Sequence, residues 1–193
     1  QWARKPGNFY SVPTEVSLDP GAGGRVEILL DQVVPEIEPP QDTEWVKRFR
    51  FESPMLSEFW GRPIYIGATV LLPRGYDEST TSYPVLYNQG HFSTEAPLRF
   101  REGSALYNAW MEDDFPRMLV VTFQHPTPYF DDSYAVNSAS QGPYGDALNY
   151  ELIPFIEEQF RGIGEGWARF TYGGSTGGWE AMATQVFYPD EFN

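Results

Sequence analysis

The residues best suited to chemistry lie near the end of the sequence, in Gly173-Gly174-Ser175-Thr176-Gly177. A G-x-S-x-G run is the pattern of a serine held on a sharp turn between a strand and a helix, where glycines let neighbouring backbones approach closely. Such a turn lifts the Ser175 hydroxyl above the strand end. It also aims the N–H of Thr176, at the start of the following helix, towards charge developing on a substrate oxygen. The chemistry on offer is nucleophilic attack on a carbonyl, with Gly173, Gly174 and Gly177 forming the elbow. A plain glycine-rich turn has the same spacing, so the motif needs an apolar strand before it and a helix after it. The sequence supplies both, as "ARFTY" and as "GGWEAMATQVFYPDEF", a helix that should end near Tyr188, ahead of Pro189.

The elements that must carry this turn are legible upstream. "VKRFRFE", from Val46, alternates charged and apolar residues as a half-buried strand does, and "IYIGATVLLP" predicts a longer strand ended by Pro73. "YPVLYNQG" and "RMLVVTFQ" are short apolar runs that suit strands buried on two faces. Between them "EGSALYNAWMEDDF" predicts a helix capped by Ser104. The spacing in "GDALNYELIPFIEEQF" predicts an amphipathic helix from about Gly145 to Phe160, kinked at Pro154. "SPMLSEFWGRP" reads as a connection rich in turn formers, with Phe59 and Trp60 as a plug for the core. Helices and strands alternating after residue 83 imply a mostly parallel sheet with helices on both faces. Residues 1–45 read as an irregular, β-rich N-terminal segment with one strand at Val26–Leu30 and a linker at Pro35–Pro40.

Composition narrows the function classes. With 193 residues, 41% of them hydrophobic, the chain can bury a core, and its net charge of −14 excludes the basic surface that nucleic acid or an anionic membrane would require. No run approaches the ~20 apolar residues of a spanning helix. The absence of cysteine removes disulfides and thiol catalysis. The sequence opens on Gln1 rather than Met, from which a preceding segment is expected, and few lysines with many Trp and Tyr point to a secreted or periplasmic protein, with the cytoplasm as the alternative.

The sequence contains two histidines. His91 lies in the loop Gly90-His91-Phe92 after the third strand and His125 ends the fourth, both where strand ends meet a site. The loop that follows carries Tyr129, Phe130, Tyr134 and Tyr144, which either line a pocket or pack the loop onto the sheet; His125, Tyr129 and Tyr144 are the pocket candidates. Asp131, Asp132 and Asn137 offer oxygen ligands, but their spacing matches no EF-hand and turn preference accounts for them, so no metal site is read.

Three segments, "GATVLLPRGYDESTTSYPVLYNQGHF", "GPYGDALNYELIPFIEEQF" and "YGGSTGGWEAM", together span about Gly67 to Met182 and resemble one family. It is the esterase family of the α/β-hydrolase superfamily that includes enterochelin esterase-like and feruloyl esterase-like proteins. The resemblance implies an α/β-hydrolase fold, with residues 46–193 as the first half of the domain, and a small-molecule carboxylic ester as substrate. By it, Ser175 is the nucleophile, the backbone N–H groups of Thr176 and of His91 or Phe92 form the oxyanion hole, and no metal or organic cofactor is implied. The family keeps the chain order serine, acid, histidine, whereas this sequence stops one helix after Ser175. The catalytic acid and base are therefore expected beyond residue 193. The remainder of the same polypeptide, or a second chain, is expected to cover the open apolar edge left beside Ser175. Two rivals stand beside this reading: a non-catalytic binding or structural protein on the same scaffold, and an acyltransferase.

Overall fold

The computed structural model describes residues 2–21, 23–38 and 40–193. Five strands, β1 (Val46–Glu52), β2 (Tyr65–Leu71), β3 (Val85–Gln89), β4 (Leu119–Gln124) and β5 (Arg169–Gly173), form one sheet in the order β1-β2-β4-β3-β5. The β1/β2 and β2/β4 pairs are antiparallel; β4/β3 and β3/β5 are parallel. The parallel part thus starts at β3, where the alternation of strands and helices begins, and the whole sheet is mixed. All five strands fall where the sequence pattern puts them.

Alternation along the strands sorts side chains onto two faces. Val85 and Tyr87 of β3 join Leu119, Val121 and Phe123 of β4 in the larger core, beneath a helix that occupies residues 144–160. Leu86 and Val120 point the other way, into a smaller cluster with Phe100 and Trp110. Trp110 lies on the helix α2 (Ala105–Trp110), whose N-cap is Ser104: its hydroxyl accepts from the Tyr107 N–H. That helix stops short of the predicted "MEDDF" continuation, where Asp113 pairs instead with Arg74 at 2.7 Å.

Two local expectations are corrected. "SPMLSEFWGRP" is not an open connection but contains a helix, α1 (Pro54–Trp60), with Ser53 as N-cap, Pro54 in the first turn and Gly61 in the left-handed conformation at its end. These are standard start and stop signals, in a segment too short to display a helical period. Trp60 is half-buried against the core and donates to Gln141 O at 3.0 Å, while Phe59 remains exposed. Val26–Leu30 lies outside any strand and is exposed; the ladder in this segment pairs Phe9–Tyr10 with Gln32–Val33. The linker assigned to Pro35–Pro40 includes a residue outside the described ones.

The helix over residues 144–160, α3, carries its irregularity ahead of Pro154. Residues Ala147–Leu152 form a π-helical stretch in which Ile153 N–H bonds Leu148 O. A proline cannot donate to the preceding turn and crowds its carbonyl, so an i→i−5 turn just upstream absorbs the mismatch. The last helix, α4 (Thr176–Phe187), follows β5 through the Ser175 turn.

One network locks β5 into this frame. Arg169 grips Glu157 of α3 through two bonds, Nε–Oε1 at 2.8 Å and Nη2–Oε2 at 2.7 Å, and Tyr87 of β3 donates to the same carboxylate at 3.0 Å. All three side chains are buried. The Glu157 hydrogen bond holds the Arg169 guanidinium above its ordinary value, and burial pushes the Tyr87 phenol well up. β5 is nevertheless an edge strand among the described residues, and Phe170 and Tyr172 are exposed on it, as are Trp179 and Met182 on α4.

Candidate active site

Ser175 occupies the turn between β5 and α4 with φ 54° and ψ −121°, the conformation of the first central residue of a type II′ turn, which favours glycine. Its side chain is exposed. None of the four surrounding glycines has positive φ. Their roles differ: a Cβ on Gly173 would lie 2.1 Å from Gly177 O, and one on Gly177 would lie 2.2 Å from Gln89 O. Main chain therefore touches main chain at both positions. A Cβ on Gly174 would meet nothing within 4 Å, and one on Gly178 only ordinary contact at 3.4 Å, so these two are not sterically required.

The contact of Gly177 with Gln89 seats the turn against the end of β3 and brings the loop that starts at Gly90 alongside it. Thr176 opens α4, so its N–H belongs to the first-turn donors that a helix leaves unused. Beside the turn, a cleft of ≈ 520 Å³ opens at the strand ends, lined by Asn88, Gly90, His91, Ser93 and Leu98 and by Tyr172 of β5.

The structure sorts the other sequence candidates. His91 is more than half exposed, and its Nδ1 contacts Asp132 Oδ2. Phe92 packs edge-on against His125 and Phe130. His125 is sealed in the interior, 1% exposed, with Nδ1 2.8 Å from Ser133 Oγ and 3.4 Å from Asp132 Oδ1. Burial lowers its basicity, against the pull of Asp132. Tyr144 is not a pocket wall: it is fully buried in the core and donates to Pro126 O at 2.9 Å. Tyr129 is exposed and leans on Trp60. Asp132 and Asn137 do not converge, since Asn137 Oδ1 accepts from the Asp146 N–H.

One residue of this neighbourhood escaped the sequence reading. Glu180, five positions after Ser175, is fully buried among the first turns of α4. Burial and the nearby Asp132 push its carboxyl up to about 7, while the Gly90 backbone and His91 act in the opposite direction. The signal was a carboxylate set between Trp179 and Ala181 on a helix made mostly of small and apolar residues.

Comparison with known proteins fits this geometry. The profile of the Putative esterase family matches residues 62–193. The chain belongs to that family. No curated protein matches it. Among solved structures, a ferulic acid esterase is similar to the chain at 21% identity and TM-score 0.56, covering 76% of this chain and 55% of that one. An S-formylglutathione hydrolase from Agrobacterium tumefaciens is similar at 16% identity and TM-score 0.58, covering 79% and 58%. An IroE-like serine hydrolase from Shewanella oneidensis is similar at 22% and 0.51, covering 76% and 48%. At such identities the likeness carries the fold, which is the α/β-hydrolase fold. The chain spans roughly half the length of these structures.

Proposed function

We propose that the protein is a serine carboxylic-ester hydrolase in which Ser175 attacks the ester carbonyl and carries the acyl group as a covalent intermediate. The observation that carries this reading is the Ser175 backbone, held at φ 54° between two glycines whose Cβ atoms would collide with main chain. Membership of the esterase family supports it. In the first step Oγ bonds to the carbonyl carbon, its proton passes to a base, and the N–H groups of Thr176 and of His91 or Phe92 stabilise the oxyanion. The alcohol then leaves with that proton, and water releases the acid by the reverse sequence.

The base and its acid come, in this reading, from beyond residue 193. The burial of His125 and the share of the similar structures that the chain spans support this. The exposed apolar edge of β5 supports completion of the sheet by further polypeptide, of the same chain or a second one. A second reading of the base rests on one contact: Asp132 holds His91 Nδ1, and among the described residues no hydrogen bond engages Nε2, the arrangement of an oriented general base.

In the complete protein, Ser175→Ala is expected to abolish turnover of a small aryl ester and labelling by a fluorophosphonate; unchanged turnover removes Ser175 from the mechanism. His91→Gln separates the two sources of the base, because labelling and turnover survive it when the base lies elsewhere. Acyl transfer to an added alcohol in preference to water would make the protein an acyltransferase, and no labelling of the wild type would make it a non-catalytic scaffold.

A further inference from the structure

Behind the Gly90 loop, three side chains from separate elements converge: His125 at the end of β4, Asp132 in the following loop and Glu180 on α4. One potential ligand atom from each lies within 4.8 Å of the other two. Glu180 is 0% exposed, and neither of its oxygens completes a hydrogen bond among the described residues, although the Gly90 backbone faces them. A buried carboxylate without partners is costly, by several kcal/mol when ionised. Glu180 shares the buried face of α4 with the small residues Gly177, Ala183 and Thr184.

The other two groups are themselves held by polar neighbours. Asp132 Oδ2 is held by His91 and Oδ1 by the Tyr134 N–H at 2.8 Å, while Ser133 Oγ orients the His125 ring. Hydrogen bonds of this kind fix ligating carboxylates and imidazoles in metal sites. Two carboxylates and one imidazole also present the charge that a divalent ion neutralises.

We propose that His125, Asp132 and Glu180 bind a divalent transition-metal ion. One nitrogen and two oxygens suit Zn²⁺ or Mn²⁺, because Ca²⁺ and Mg²⁺ take all-oxygen shells. The ion would join β4, the 127–134 loop and α4 behind the Gly90 loop, bracing the two segments that flank Ser175. It is a structural site, and it stands whether or not Ser175 is a nucleophile.

The test is metal content and affinity, read without any activity. Wild-type protein freed of metal by EDTA dialysis and titrated with ZnCl₂, MnCl₂ or CaCl₂ in a calorimeter is expected to take up about one equivalent of Zn²⁺ or Mn²⁺. Its Tm should rise by about 5 °C or more at a hundredfold excess over Kd. Glu180→Gln, which keeps size and shape, should weaken binding about 100-fold or more, and Ser133→Ala about 10-fold. No uptake by the wild type overturns the site, uptake of Ca²⁺ alone overturns the class of ion, and unchanged affinity in Glu180→Gln overturns the ligand assignment.

Discussion

At the residue scale, the Ser175 turn uses its glycines for space rather than for positive φ. Gly173 and Gly177 lack a Cβ because main chain occupies that position at 2.1 and 2.2 Å. Alanine at either position should cost about 3 kcal/mol or more, since backbone cannot swing aside as a side chain can. Gly174→Ala, with nothing within 4 Å of the added carbon, should stay within about 0.5 kcal/mol of the wild type. Urea unfolding midpoints of the three variants check this, and equal losses at all three positions would refute it. The motif itself was legible, because its spacing is set by the local turn. Which glycine is needed was not: Gly177 meets Gln89, a residue 88 positions earlier that only the folded sheet brings near. Glu180 and Asp132 were missed as a cluster for the same reason.

At the element scale, β5 is tied to the rest of the sheet through a buried charge. Arg169→Met should cost about 3–5 kcal/mol, because it removes the cationic partner of the buried Glu157 side chain and leaves it only the Tyr87 hydroxyl. Arg169→Met with Glu157→Leu should recover most of that loss, since a well-packed apolar pair often replaces a buried ion pair at little cost. A double variant no more stable than the single one would show that the network does more than neutralise charge. Strands were the most legible elements, since each is a short apolar or alternating run whose period survives folding. Helix α1 was the least: it is too short for a period to emerge, and its signal lay in the cap residues Ser53, Pro54 and Gly61. Pro154 marked the site of a disturbance in α3, but the proline alone does not say that the chain will answer with a π turn rather than a bend.

At the scale of the whole molecule, the core is mainly aliphatic but also buries phenols. Burial raises Tyr87, Tyr144 and Tyr188 above the ordinary phenol pKa, in each case as the largest cause. The folded state therefore favours the neutral ring. The stability this contributes is fully present below about pH 10, the value for an unfolded chain, and is lost as pH rises towards the folded values. Urea midpoints should be flat from about pH 7 to 9 and fall steeply above about pH 10; a midpoint independent of pH up to about 11 would contradict the burial of these rings. The fold class was legible from the order of elements after residue 83, whereas the antiparallel entry of β1 and β2 depends on which edge the chain reaches first. Residues 1–45 gave little to read, because their sequence shows no periodic apolar face from which a packing partner can be inferred.

The Ser175 turn has one further consequence, for descent rather than for folding. Four glycines stand around the one backbone position that would itself favour glycine, and that position holds a serine. Folding alone would prefer a glycine in its place. If Ser175 is kept for the proposed chemistry, a lineage released from that chemistry would be pushed down a stability gradient towards glycine at this site.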